Sequence, residues 1–111
     1  MPFYTYNQNN SGGRYQLDES SGIAEYVIIE ANNAKQANAI ATSIGIYFDG
    51  VKEGYDCSCC GDRWYTAEEY DATEIPSIYG DPVETHKARF SSYSSAVHYL
   101  NGEIKRYKHI K

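Results

Sequence analysis

All three cysteines of the chain and its single tryptophan fall within twelve residues, GYDCSCCGDRWY at Gly54–Tyr65. Residues of these types at this spacing support three chemistries. The first is metal binding. Zinc takes four tetrahedral ligands, and Cys57 and Cys60 have the C-x-x-C spacing of one zinc knuckle, followed by Gly61. A second pair is missing, because His86, His98 and His109 stand far downstream without paired spacing. Cys59 is a third thiol, but in an extended chain adjacent side chains point to opposite sides. The competing reading is a tight turn whose small thiols pack inward as hydrophobes, and it leaves no metal ligand assigned. The second chemistry, thiol catalysis, needs a nearby base and an electropositive setting. Here Asp56 and Asp62 flank the thiols and oppose their ionisation, and Arg63 offsets them in part.

The third chemistry is recognition. On an extended segment Arg63 and Tyr65 share one face and Trp64 takes the other. Arg63 then suits a phosphate or a guanine edge. Tyr4, Tyr6 and Tyr47 from neighbouring strands complete a stacking pocket, and stacking is worth roughly 1–3 kcal/mol per base. Trp64 is read as a core anchor. A second segment, NNSGGR at Asn9–Arg14, adds donors. Successive backbone N–H groups in a glycine-rich turn form an anion-binding nest. Asn10, Ser11, Gly12 and Arg14 are the candidate phosphate contacts there. The alternative is a plain hairpin loop, and the pattern is not that of a triphosphate P-loop.

Enzyme templates fail. The histidines read THK, VHY and KHI, which excludes the paired H-x-[ST] motifs of small phosphodiesterases. H-E-x-x-H, G-x-S-x-G and G-x-G-x-x-G are absent. The expectation is a binder, not an enzyme, with no cofactor.

The elements that must position these residues are read from periodicity. Phe3–Gln8 alternates as a strand, Asn9–Gly13 is a loop, and Arg14–Leu17 resumes extended structure in a hairpin across it. Ala24–Ala31 is a β-branched run that fits a central strand buried on both faces. Ala34, Ala37, Ile40, Ala41 and Ile44 recur at helical spacing. Asn33 caps that helix with Gln36 reaching back, and Gly45 ends it. Ile46–Val51 reads as a strand entering an Asp49-Gly50 turn, and Arg63–Ala67 as extended. Asp71–Val83, with two prolines and a glycine, reads as irregular, and Lys87–Tyr93 as a strand. Asn101-Gly102 predicts a C-terminal hairpin with a type I′ turn. The fold expected is α+β, one domain over residues 1–111. It has a mostly antiparallel sheet, one main helix over about residues 33–44 packed on one face, and a C-terminal β-hairpin.

Composition bounds the partners. The chain has 111 residues, 10 basic and 15 acidic, for a net charge of −5, the wrong sign for coating a nucleic acid polymer. No apolar run has the length a membrane helix needs, and the first residues lack a charged-then-apolar leader pattern, so the expectation is a soluble, unsecreted protein. Crowded, odd-numbered cysteines fit a reducing cytoplasm. Twelve tyrosines supply flat faces with polar tips, suited to half-exposed sheets and recognition surfaces.

Three segments taken in order, FYTYNQNNSGG, YVIIEANNAKQANAIATSIGIYFDGV and GYDCSCCGDRWY, resemble a widespread group of small bacteriophage proteins. In that group the last motif runs closer to DCPCCGDRW, with Ser58 here in place of the proline. The resemblance covers about the first 65 residues. It implies an anti-CBASS immune-evasion protein, a sponge that binds a cyclic dinucleotide such as 3′3′-cGAMP and withholds it from the host effector without cleaving it. It also implies action in the cytoplasm of the infected bacterial host. A homo-oligomer, dimer or tetramer, would enclose a near-symmetric ligand between matched subunits. On that reading Arg63→Ala abolishes binding and leaves the fold intact. The rivals are an inhibitor acting by protein–protein interaction with a host factor, a small nucleotide-cleaving enzyme, and a zinc-stabilised structural protein.

Overall fold

Val27, Ile28 and Ile29 are fully buried, on alternating faces of the second strand of the chain. They sit at the middle of the molecule because that strand has cover on both sides. A computed structural model describes residues 2–9 and 14–111. Strands β1 (Phe3–Asn7), β2 (Tyr26–Glu30), β5 (Tyr93–His98) and β6 (Ile104–His109) form one sheet in the order β1-β2-β5-β6. The β1–β2 and β5–β6 pairs are antiparallel, and the central β2–β5 pair is parallel. A separate short hairpin joins β3 (Ser77–Ile78) to β4 (Asp81–Pro82). The α+β class, the mostly antiparallel sheet and the C-terminal hairpin are therefore as expected. Among the described residues no helix is long and apolar enough to cross a membrane.

Helix α1 (Ala34–Ile44) lays its stripe of alanines on one sheet face. Ala34, Ala37 and Ala41 are buried against Val27 and Ile29, in the cluster that also holds Tyr4, Tyr6 and Trp64. The side chain of Asn33 accepts from the N–H of Gln36 at 2.8 Å. Gln36 in turn accepts from the N–H of Asn32 at 2.6 Å, one residue before the position a capping box uses. Glu69 adds a cap from a distant turn, accepting from the N–H of Ala34 at 2.6 Å. Gly45, at φ +114°, ends the helix by donating to Ala41 and Thr42. The opposite sheet face carries Phe3, Ile28 and Val97 under Ile78 and Val83.

Several local expectations are corrected. Ile46–Val51 is not a strand. Asp49 takes a left-handed φ of +56°, and Gly50–Glu53 forms a single helical turn, α2. Arg14–Leu17 forms no strand, and β1 pairs with β2. Lys87–Ser92 is not a strand, β5 starting at Tyr93, while Arg63–Ala67, read as extended, lies outside the ladders. Asp71–Val83 is not irregular throughout, since it contains β3 and β4. The β5–β6 turn is not type I′. Gly102 has φ +95° while Asn101 keeps a negative one, and the N–H of Gly102 reaches the carbonyl of Tyr99. That is a three-residue loop ending in a left-handed glycine. The Asn10–Gly13 part of the predicted loop lies outside the described residues.

His98, buried on the α1 side of β5, donates from Nε2 to the carbonyl of Gly22 at 2.8 Å. A Cβ on Gly22, whose φ is +73°, would lie 2.6 Å from that ring, so the approach needs glycine. Burial holds the imidazole below its ordinary value of 6.5. The folded chain thus keeps the ring neutral, and the unfolded chain takes up a proton as pH falls through 6.5. This contribution is complete above 6.5 and is lost on acidification towards the lower folded value. We expect urea titrations of His98→Gln, which keeps a donor, to show a flatter loss of stability between about pH 7 and pH 5 than the parent. Equal slopes would show that His98 does not carry the effect.

Candidate functional site

Gln8, one residue past β1, is buried, and a buried amide must have all its donors and acceptors met. Its Nε2 donates to the carbonyls of Gln16 at 2.7 Å and Ala24 at 2.9 Å. Its Oε1 accepts from the N–H of Gln16 at 2.7 Å and from Nη1 of Arg63 at 3.2 Å. The side-chain amide thus pairs with Gln16 as a neighbouring backbone would, which is why Arg14–Leu17 lies beside β1 without a ladder. Arg63 continues the network. Its Nη1 also reaches the carbonyl of Arg14, its Nε donates to the hydroxyl of Tyr47 at 3.2 Å, and its N–H reaches Asp56 at 2.9 Å. Tyr47 donates to the other oxygen of Asp56 at 2.9 Å.

The cysteine loop is tied into the same network. Asn9 donates from Nδ2 to the carbonyls of Cys60 at 2.8 Å and Asp62 at 3.2 Å, and its N–H meets the carbonyl of Arg63 at 2.9 Å. Asp62 accepts from the N–H of Val51 at 2.8 Å, supplying the cap that Asp49 does not give α2. Gly50 is a close-approach glycine, since a Cβ there would fall 1.8 Å from the Asp56 carboxylate. Within the loop the carbonyl of Cys57 accepts from the N–H groups of Cys60 and Gly61 at 3.0 and 3.1 Å. The tight turn is as expected, but the thiols do not pack inward, because Cys57 and Cys59 are exposed and Cys60 is half-buried. Nor do they diverge, because the chain turns here and the extended-chain rule does not hold. The Cys57 and Cys59 sulfurs stand 2.6 Å apart and those of Cys59 and Cys60 3.6 Å. The hydrogen bond from Cys59 lowers the pKa of Cys57, and sharing with Cys57 and Cys60 pushes Cys59 up to about 11.

The residues predicted to hold a ligand are thus divided. Tyr4 and Tyr6 are 1% and 2% exposed, and they do not offer ring faces to a ligand. Their hydroxyls bond Glu69 at 3.1 Å and Asn38 at 2.7 Å, tying the sheet to α1 and the turn beyond it. Burial raises the pKa of both phenols. Trp64 is the core anchor expected, 1% exposed, its Nε1 donating to Gln16 at 2.8 Å. Tyr47 and Arg63 do come together, but they bond each other and the frame. Arg14 and Tyr65 are exposed. Asn10, Ser11 and Gly12 lie outside the described residues.

On the other sheet face lies a groove of about 650 Å³ that the sequence reading missed. Its walls include Tyr15, Tyr26, Tyr79, Phe90 and Tyr93, with Lys87 and Arg89 at the side. Tyr79 and Phe90 are 75% and 80% exposed. Tyr79 and Gly80 form the two-residue turn between β3 and β4, with φ of +51° and +83°. A bulky residue in this left-handed conformation costs about 1–2 kcal/mol, and the tyrosine is held there by neighbours. Its ring meets Tyr26 edge-on with centroids 5.8 Å apart, and its hydroxyl accepts from Asn7 at 3.3 Å. Tyr26 also packs on Tyr93 at 5.2 Å. His86 bonds the Tyr93 hydroxyl through Nδ1 and faces Asp81 across 4.0 Å through Nε2. Glu25 completes the wall, its pKa raised by burial. Among the described residues neither Lys87 nor Arg89 is paired with a carboxylate. The available signals were the tyrosine excess and the Tyr79-Gly80 turn, both on segments scattered along the chain.

The chain matches the family described as domain of unknown function DUF7296 over residues 1–111 and belongs to it. No curated protein and no solved structure matches it.

Because Arg63 joins Gln8, Arg14 and Tyr47, the expectation that Arg63→Ala leaves the fold intact is replaced. We expect this substitution to cost about 2–3 kcal/mol, as for a multiply bonded, partly buried cation whose acceptors are left unmet. Urea denaturation measures it, and a loss below about 0.5 kcal/mol would show that the network is not structural.

Proposed function

We propose that this protein is a phage immune-evasion factor that binds and sequesters a cyclic dinucleotide, such as 3′3′-cGAMP, without cleaving it. It would act in the cytoplasm of the infected bacterium and block activation of a CBASS effector. The resemblance of the three sequence motifs motivates the class of ligand. The observation that carries the reading is the aromatic groove with two cations that pair with no carboxylate among the described residues. A volume of about 650 Å³ falls in the range of small-molecule sites. Exposed Tyr79 and Phe90 offer faces to bases, Lys87 and Arg89 offer donors to phosphate, and carboxylates such as Glu25 accept from base N–H groups. This reading puts the ligand on the face opposite α1 and not on the motif residues themselves. A homo-oligomer, dimer or tetramer, would close the open side of the groove over the ligand.

A second reading, a nucleotide-cleaving enzyme, is favoured by one feature, the Asp81–His86–Tyr93 line on the groove wall. Burial raises the Tyr93 phenol, so its proton stays on near neutral pH and the residue is a poor nucleophile.

Thermal shift of the purified protein with a panel of cyclic di- and trinucleotides tests both, followed by chromatography of the released ligand. The sponge reading expects one ligand to stabilise the protein and return intact. Phe90→Ala and Arg89→Ala should each weaken its affinity about tenfold, the scale of one lost stacking or charged contact. A ligand returned cleaved supports the enzyme. If no nucleotide binds, the proposal is wrong.

A further inference from the structure

Two of the three thiols of the Cys57–Gly61 turn are exposed, which burial in a core does not explain. Free cysteine is among the most buried residue types, yet Cys57 and Cys59 are exposed at the tip of the loop. A turn alone is served as well by serine or aspartate. What the turn does is gather sulfur: the three Sγ atoms lie within 4.8 Å of one another, and none is in a disulfide.

We propose that Cys57, Cys59 and Cys60 form a three-thiolate site for a thiophilic divalent cation of the zinc class, with the fourth coordination position open to solvent. The dimensions fit. With zinc–sulfur bonds of about 2.3 Å, tetrahedral geometry separates the sulfurs by about 3.8 Å. The Cys59–Cys60 pair already stands at 3.6 Å. The Cys57–Cys59 pair, at 2.6 Å, opens by rotation of two exposed side chains.

The backbone is set before the metal arrives. The carbonyl of Cys57 holds the N–H groups of Cys60 and Gly61, and Gly61 has the left-handed φ of +84° that closes the knuckle. Asn9, Asp56 and Asp62 anchor the loop on both sides, so binding orders little new chain. The donor set selects the ion. Both oxygens of Asp56 are taken by Tyr47 and Arg63, one oxygen of Asp62 caps α2, and among the described residues the ligand atoms gathered close enough to share an ion are the three sulfurs. Thiolates favour zinc and its soft relatives over magnesium or calcium. Each thiol gives up its proton to solvent on binding, so affinity rises with pH.

The test is a cobalt(II) titration of reduced, chelator-treated full-length protein. The proposal expects a near-ultraviolet thiolate-to-cobalt absorption that saturates at one equivalent and is bleached by zinc. Single Cys57→Ser, Cys59→Ser and Cys60→Ser variants should each lose about a third of it, one thiolate in three. The triple serine variant should lose it entirely while keeping the parent circular dichroism, since the loop anchors do not use sulfur. Absence of the band at stoichiometric cobalt overturns the proposal, as does a band that survives in the triple variant. Should the triple variant misfold, thiol labelling of the unaltered protein decides. Zinc must protect all three cysteines against a thiol reagent, and equal labelling with zinc and with chelator overturns the site.

Discussion

A primary amide placed inside a protein has two donors and two acceptor sites to satisfy, and Gln8 meets all four with groups from three other segments. An unmet buried donor or acceptor costs about 1–3 kcal/mol, so the arrangement of those segments is not free to drift. Gln16 must lie alongside, Ala24 must turn its carbonyl in, and Arg63 must reach across from the cysteine loop. Arg63 then recruits Tyr47 and the carbonyl of Arg14, and Asp56 locks Tyr47 and the Arg63 backbone together. Among the described residues no buried side-chain nitrogen or oxygen is left without a partner.

That network gives the three sequence motifs a common physical cause. Gln8 and Asn9 come from the first, Tyr47, Gly50 and Val51 from the second, and Asp56 to Trp64 from the third. They are distant in sequence and interlocked in space. Their polar groups are largely occupied by one another, which makes them the frame of the fold. Unspent chemistry remains at the aromatic groove on the far face of the sheet and, within the third motif itself, at the thiols of the loop tip.

What was legible in the sequence was what local physics decides. The alanine stripe, the Asn33 cap and Gly45 define α1 without outside help, and the run at Val27–Ile29 could only be buried on both faces. Tertiary contacts decided the rest. Ile46–Val51 has strand composition, but Gly50 is held against Asp56 and the chain turns. Arg14–Leu17 had the look of a hairpin partner, and a side chain took the partner's place. Alternation in Phe3–Asn7 separates two faces but does not say which is covered, so Tyr4 and Tyr6 looked as available as any tyrosine. Arg63 beside two aromatics reads as a ligand contact until its acceptors are seen. The groove was hidden because its walls come from Tyr15, Tyr26, Tyr79 and Tyr93, which no spacing rule connects.

The proposal divides the labour: the motif residues build the frame, and the opposite face would bind the ligand. Side-chain and backbone NMR with 3′3′-cGAMP added would test it most directly. The account predicts ligand contacts and shift changes at Tyr79, Arg89, Phe90 and Tyr93, with Gln8, Tyr47 and Arg63 little affected. Contacts centred on Tyr47, Arg63 and Tyr65 instead, with the groove unchanged, would contradict it.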